Sequence, residues 1–375
     1  MSGVVRRFGR SAAVVSALVL AVGTAAACSS SGSASGGGGG GSSSGSLKDT
    51  LKNIHATTQT AGYIEYGDTA QMVKLNGGTN QGSNSPFGRV LGAGADQLSQ
   101  YSQILPPFTG FDYSTATSAV TVGTPPNAVG VLYGSFDPAA IGAKLAAWGY
   151  AKQDRGNGVT AWVYKDNHQI DITKLDPNTG VGPGMTGWLN VVWVSKTSIA
   201  YGSATSDLAA AVPAQLKPVS DDPVVGPLAD CLGSPLEAFV LTDQKMIGSA
   251  GLPAVALGVT ATSASDVRME ICAAAPSAAA AQSFAAGFTK AVGSGQDIMT
   301  DQPWANLLSN PQTSVIGGAE HVVRLSATPS GGQGASLVVN LVEQNDFAGL
   351  LGLPQTLKNG RTVNPGSAAS SPTSS

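Results

Sequence analysis

The first 28 residues constrain this chain more than any other stretch, because they decide the compartment in which the rest must fold. Three arginines within the first ten residues precede an apolar run over residues 12–22. Small residues follow and end in Ala-Ala-Ala-Cys at positions 25–28. This order is typical of a secretory signal peptide and not of a fold element. The apolar run is too short and too rich in alanine for a transmembrane helix, which needs about 20 apolar residues.

Residues 25–28 resemble the lipobox of bacterial lipoproteins, in which small residues precede a cysteine that receives a diacylglycerol group. The resemblance implies cleavage after Ala27 and lipidation of Cys28, although Ala25 stands where the family usually has Leu. Because two acyl chains are enough for stable anchoring, we expect a mature protein held on the outer face of the cytoplasmic membrane. The alternative is ordinary secretion with an incidental cysteine.

The stretches at the two ends of the mature chain have the composition of flexible segments. Residues 29–46 contain only Ser, Gly and Ala, with six consecutive glycines at 36–41. Such a coil has a root-mean-square reach of about 23 Å, so we interpret residues 28–46 as a lipidated cysteine and tether. Residues 358–375 are rich in Ser, Pro, Gly and Ala, which predicts a disordered tail.

The charge balance argues against nucleic acid as a partner. Removal of residues 1–27 takes away three arginines and no acid, which leaves 17 basic and 23 acidic residues. An acidic chain without a Lys/Arg cluster repels phosphate backbones. Only 11% of residues are charged, well below the usual quarter or so, so we expect a surface built from Ser, Thr, Asn, Gln and Gly.

The three cysteines predict one disulfide bond. If Cys28 carries lipid, Cys231 and Cys272 remain as an even pair in an oxidising compartment. A bridge between them would close a loop of about 40 residues and contribute roughly 3–4 kcal/mol. The alternatives are two buried free thiols or a metal pair, but no histidine or third cysteine lies at ligand spacing from either.

The folded part is expected to be α+β, with two lobes of mainly antiparallel sheet and helices packed on one face. We place an N-terminal lobe at 47–212, a proline-rich linker at 213–227 and a C-terminal lobe with the disulfide at 228–357. The predicted helices include 96–105, 138–148 and 276–292, and the predicted strands are at 62–67, 129–136, 159–164, 169–173, 189–195, 198–201, 236–242, 255–261, 267–272, 313–316, 322–327 and 337–342.

One segment of the N-terminal lobe resembles a family of uncharacterised bacterial envelope proteins. Its motifs are the Gly-x-Phe-Asp of residues 134–137, the Gly-Tyr of 149–150 and the Gly-to-Tyr stretch of 158–164. The family has no known catalytic residues, so the resemblance bears on the fold. The Ala/Gly/Val-rich composition favours an actinobacterial source.

Few residues suggest catalysis or metal binding. The cluster of Asp166, His168 and Asp171 has conceivable metal spacing, but strand alternation would turn Asp171 away from the other two. A turn with solvated charges is the simpler interpretation, and we predict no metal and no cofactor. No short catalytic or phosphate-binding motif occurs, although a Ser–His triad assembled from distant positions stays open.

Three aromatic residues are candidates for a ligand groove. Trp188 follows a glycine-rich stretch at 179–187 that could leave its indole at the rim of a pocket, and Tyr63 and Tyr66 allow a similar reading. The competing interpretation places these side chains in the core.

The sequence therefore favours a non-enzymatic, lipid-anchored envelope protein with a binding or scaffolding role. Its expected partners are the membrane, through the N-terminal lipid, and an envelope protein or cell-wall component. One alternative is a solute-capture lipoprotein with its site between the lobes. Another is a hydrolase with a triad that follows no motif.

Overall fold

The computed structural model of the protein describes residues 46–78, 87, 92–173, 180–212, 217–249, 251–263, 265–297, 300–316, 321–330, 336–356 and 362–363. The predicted leader, Cys28 and the tether up to residue 45 lie outside the described residues, as does most of the predicted tail.

Fourteen strands occur in the described residues. They are β1 (Tyr63–Gly67), β2 (Ser118–Val122), β3 (Val129–Tyr133), β4 (Ala151–Asp154), β5 (Thr160–Val163), β6 (Val191–Val194), β7 (Ser198–Gly202), β8 (Glu237–Leu241), β9 (Ala254–Ser263), β10 (Asp266–Ala274), β11 (Leu308–Ile316), β12 (Val322–Pro329), β13 (Gln355–Thr356) and β14 (Thr362–Val363).

The same residues contain fourteen α-helices. They are α1 (Leu47–Leu51), α2 (Thr58–Gly62), α3 (Thr69–Leu75), α4 (Asp96–Ser99), α5 (Leu105–Thr109), α6 (Pro138–Ala147), α7 (Pro183–Trp188), α8 (Thr205–Ala211), α9 (Val225–Leu232), α10 (Gln244–Ile247), α11 (Ala278–Ser294), α12 (Trp304–Leu307), α13 (Ser336–Gln344) and α14 (Phe347–Leu350).

Twelve strands form one continuous antiparallel sheet in the order β11-β12-β10-β9-β8-β1-β2-β3-β7-β6-β5-β4. The strands of the two expected lobes meet where β1 pairs with β8, in a register that sets Glu65 opposite Phe239. The α+β class and the antiparallel pairing are therefore confirmed, and the two expected lobes share a single sheet.

One face of the sheet, here called face A, carries Glu65 and Phe239 and is covered by two sets of helices. Over the strands from β8 to β11, the cover includes Phe284 and Phe288 of α11. Over the strands from β2 to β5, it includes Leu145 of α6 and residues of α4, α5 and α7. Apolar side chains from these helices make two separate cores on face A.

The opposite face, face B, carries Tyr66 and Val240 and has a third core. Helices α1, α8 and α9 supply Leu51, Leu208 and Leu228 to it. Helices thus pack on both faces, where the sequence predicted one. The reason is that nearly every strand position between β1 and β3 is buried, so neither face of these central strands can be left to solvent.

Several local predictions differ from the structure. Residues 337–342 lie in helix α13, although their valines favour a strand. Residues 169–173 form no strand, and Ile170 and Ile172 are exposed. Of the expected helix 96–105 only Asp96–Ser99 is formed, as α4, and Pro106 and Pro107 do not end it but lie in the first turn of a separate helix, α5.

The predicted disulfide bond is confirmed. Cys231, near the end of α9, is bonded to Cys272 on β10, with 6.1 Å between their Cα atoms. Both side chains are buried in the core of face B. The bond therefore fixes the end of α9 to the sheet.

Candidate functional site

An open groove of about 810 Å³ lies on face B, between the end of α9 and the strands β9 to β12. Helix α9 covers part of this face, and the outer strands continue beyond it. The side chains that line the groove are mostly polar and include Thr260, Arg268, Glu270, Ser314, Arg324 and Ser326.

Strand register brings these side chains together. Along β10, alternation places Arg268, Glu270 and Cys272 on face B. The pairing of β10 with β12 sets Ser326 opposite Glu270 and Arg324 opposite Cys272. Because directly opposed residues share a face, two arginines and one glutamate meet beside the disulfide bond.

The centre of the groove is an ion-pair cluster around Glu270. The Glu270 side chain is only 3% exposed, and its Oε2 accepts a hydrogen bond of 2.9 Å from Arg324 Nε. Arg268 Nε lies 3.9 Å from Glu270 Oε1. Arg268 Nη2 also donates to Ser326 Oγ at 2.7 Å and to Gln312 Oε1 at 3.0 Å. The side chains of Arg268 and Arg324 remain 29% and 42% exposed, so both guanidinium groups reach solvent.

The charges of the cluster do not cancel. Two guanidinium groups share one carboxylate, which leaves one positive charge in the groove. Asp230 on the rim is a further acid, but Lys48 Nζ binds its Oδ2 at 2.5 Å. The groove therefore presents a cationic site in a chain that is acidic overall.

The rim of the groove depends on a close approach of α9 to the sheet. Gly258 on β9 lies opposite Glu270. A Cβ atom at Gly258 would lie 3.3 Å from Leu232 Cδ2 at the end of α9 and equally close to Pro235 Cβ. Glycine at this position lets the helix end and the following turn pack against the strand.

A second polar cluster lies buried on face A, where β1 and β8 meet. Glu65 and Glu237 are 4% and 2% exposed. Glu65 Oε1 accepts a hydrogen bond of 2.8 Å from the backbone N–H of Gly94, and the Tyr63 hydroxyl lies 3.4 Å from its Oε2. Glu237 Oε2 has no hydrogen-bond partner among the described residues.

Burial makes both carboxyl groups weak acids. Loss of solvation, together with the nearby charge of Asp96, raises the pKa of Glu65 to about 7. Burial, followed by the charge of Glu65, raises the pKa of Glu237 well above its ordinary value. Both carboxyl groups are almost fully excluded from solvent, so we treat this cluster as structural.

The three aromatic candidates are placed separately. Tyr66 is fully buried in the core of face B. Tyr63 lies three residues away on the same strand and therefore on face A, where it packs partly buried against the core. Trp188 ends α7 and is half-buried. Strand alternation thus separates the two tyrosines, and none of the three lines the groove.

The cluster of Asp166, His168 and Asp171 forms a hydrogen-bonded turn. Asp166 Oδ1 accepts from the backbone N–H of Thr205 at 2.8 Å, and His168 Nε2 lies 3.5 Å from Asp207 Oδ2. Within the described ranges no three His, Cys, Asp or Glu side chains are grouped so that they could hold a metal ion.

The sequence interpretation missed the groove residues, although a signal was present. Arg268 and Glu270 interrupt a strand of apolar residues at alternate positions, as Arg324 does on β12. A charged residue inside an apolar strand run is rarely buried unless it is paired. Which charges pair depends on strand register, and the sequence alone does not show it.

Comparisons with known proteins leave the chain without a family. No protein-family model matches it, and no curated protein matches it. Two crystal forms of a protein named TP0453, forms I and IV, align with it at 11% identity and a TM-score of 0.34. The alignments cover 78% and 75% of this chain and 96% and 93% of the other. A likeness this weak carries no argument.

No helix in the described ranges has both the length and the apolar character needed to cross a bilayer.

Proposed function

We propose that this chain is a lipid-anchored cell-envelope protein that binds a polar ligand in the groove on face B and does not transform it. The groove itself carries the proposal. Its volume of about 810 Å³ is within the usual range of roughly 300–1,000 Å³ for ligand sites. Its polar groups stand on strands of a large sheet, which holds them more firmly than a loop would.

The arrangement of charges favours binding over catalysis. A general base needs a carboxylate that is free to take a proton. Glu270 instead contacts both arginines, with Arg324 at 2.9 Å. Its role is to orient two donors toward the groove.

The lipid anchor comes from the N-terminal sequence. Acylated Cys28 would attach the protein to the outer face of the membrane, and the tether with a reach of about 23 Å would hold the folded part clear of the lipid. The ligand would then come from the envelope, as a cell-wall component, a membrane headgroup or a segment of another protein.

The anchor is tested by Cys28→Ala expressed in the native host. We expect the wild-type protein in the membrane fraction, with a diacylglyceryl mass on its N-terminal peptide. The variant should lose both. A variant that stays in the membrane fraction and is cleaved at the same bond would contradict the proposal.

The groove is tested by filling it. Ser314 lines the groove and is exposed on β11, so Ser314→Trp should block it. Val315 is exposed on the same strand and points to the other face, so Val315→Trp is the matched control. Soluble wall fragments and headgroup analogues are screened by thermal shift. A ligand that stabilises wild type and Val315→Trp but not Ser314→Trp supports binding in the groove. Ligands that stabilise Ser314→Trp as much as wild type contradict it.

A further inference from the structure

The cationic cluster in the groove narrows the class of ligand, if the groove is the binding site proposed above. Among the described residues it contains two arginines that converge on one buried carboxylate. Arginine presents a planar set of donors that suits carboxylate and phosphate oxygens.

Arg324 keeps donors that no described residue uses. Its Nε is bonded to Glu270, and no other hydrogen bond of its guanidinium is formed within the described ranges. The two Nη groups are therefore left to solvent or ligand. Arg268, in contrast, spends Nη2 on Ser326 and Gln312. Arg324 is the main free donor, and Arg268 is a second positive charge held in place.

The surplus positive charge favours an anionic ligand. Glu270 compensates one of the two guanidinium charges, and the Asp230 carboxylate at the rim is already bound by Lys48. Both arginines are partly buried, so salt screens them less than it screens a surface lysine. A bound oxyanion would balance the remaining charge through charge-assisted hydrogen bonds.

Hydroxyl groups around the arginines favour phosphate among the oxyanions. Thr260, Ser314 and Ser326 line the groove from three different strands. One guanidinium fork already pairs with both oxygens of a planar carboxylate, which lie in one plane. A tetrahedral phosphate has oxygens pointing in several directions and can also accept from hydroxyl groups on both sides of Arg324.

We propose that the groove binds a phosphate group, with Arg324 as its principal ligand, Arg268 as a supporting charge and the surrounding hydroxyls as further donors. The phosphate could belong to a membrane headgroup or to a free phosphate or phosphomonoester. The site recognises the chemistry shared by these sources.

The test titrates three soluble probes into the mature, detergent-solubilised protein by isothermal titration calorimetry. The probes are inorganic phosphate, glycerol 1-phosphate and glycerophosphoglycerol, which is phosphatidylglycerol without its acyl chains and so carries its phosphodiester headgroup. Arg324→Gln removes the principal donor. Arg155→Gln makes the same change directly after β4. There the guanidinium stacks on the Trp193 ring, outside the groove.

We expect saturable binding of at least one probe. Arg324→Gln should weaken it at least about tenfold, because a hydrogen bond to a charged group is worth roughly 1.5–3 kcal/mol. Arg155→Gln should leave it unchanged. Tighter binding of glycerophosphoglycerol would identify a headgroup as the source, and tighter binding of the other two would identify free phosphate or a monoester. If Arg324→Gln does not fold, Ser314→Trp replaces it.

The proposal is overturned if no probe binds in the millimolar range, or if Arg324→Gln binds as well as wild type. Equal loss in Arg155→Gln would also overturn it, since that would show attraction to net charge alone. If phosphate fails while a neutral ligand is lost in Ser314→Trp, only the phosphate assignment falls. If Ser314→Trp affects no ligand, the proposed function falls with it.

Discussion

Replacing Glu65 by Gln should change how the stability of this protein depends on pH. Glu65 is buried beneath the turn that contains Gly94 and accepts a hydrogen bond from the Gly94 N–H. Burial, with the charge of Asp96, raises its pKa from an ordinary value of 4.5 to about 7. Gln keeps the shape and the acceptor, but it is neutral at every pH.

The sign follows from proton binding. Between about pH 4.5 and about pH 7 the folded protein keeps the Glu65 proton that the unfolded chain has lost. Stability therefore falls as pH rises through this window. At about 1.36 kcal/mol for each pKa unit, a shift from 4.5 to about 7 corresponds to roughly 3 kcal/mol. The loss is complete above the folded pKa and absent below the unfolded one.

The assay is urea denaturation followed by tryptophan fluorescence at several values between about pH 4 and about pH 8. The unfolding free energy of Glu65→Gln minus that of wild type should rise by about 3 kcal/mol across the range. Glu343→Gln, at an exposed helix position, is the control for the loss of a surface carboxylate. A flat difference for Glu65→Gln, or one that falls with pH, would refute the reasoning.

Four further variants test the packing and the buried ion pairs. Replacing Cys231 and Cys272 together by Ala should lower the unfolding free energy by about 4 kcal/mol, since the bond closes a loop with a sequence separation of 41; an equal midpoint in urea would contradict this. Gly130→Ala should destabilise the protein by about 1–3 kcal/mol because its Cβ would overlap the buried Tyr201 ring. Gly293→Ala in α11 has open space around it and should stabilise the protein by up to about 1 kcal/mol. Thermal melts compare the two variants with wild type. Glu270→Gln should destabilise by about 1–3 kcal/mol because two arginines lose their buried counter-charge, and an unchanged urea midpoint would show that the pair contributes nothing.

Local pattern predicted the segments that carry their own signals. Asp137 caps α6 by accepting from the N–H groups of Ala139 and Ala140, and Pro138 occupies its first turn. The strand before this helix and the strand at 159–164 were also correct, as was the pairing of Cys231 with Cys272, whereas β4 between them was not predicted. These features depend on neighbours in sequence or on a count of cysteines, so no knowledge of the fold was needed.

Helix α13 shows where local pattern fails. Three consecutive apolar residues, Leu337 to Val339, include two β-branched valines, and this pattern favours a strand. The buried positions Leu337, Val338 and Leu341 instead have the spacing of one helical face. Packing of that face against the core of face A decides the outcome, and propensity does not.

The single sheet could not be predicted, because it depends on a long-range pairing. β1 joins β8 although about 170 residues separate them. That pairing places Glu65 near Glu237. Nothing in the sequence around either residue indicates that they are neighbours. The groove has the same origin, since Arg268 and Arg324 become neighbours only through the register of β10 with β12.

Glu65 and Glu270 show how the same residue type at the same burial serves two different ends. Glu65 is buried on face A, where loss of solvation favours its neutral form. Glu270 lies on face B beyond the end of α9, where two arginines supply its counter-charge and themselves reach solvent. A buried carboxylate held by one cation would be neutralised and would attract nothing more. Because two cations share Glu270, the cluster keeps a positive charge that favours binding of an anion in the groove. The cluster around Glu65 on face A has no such charge.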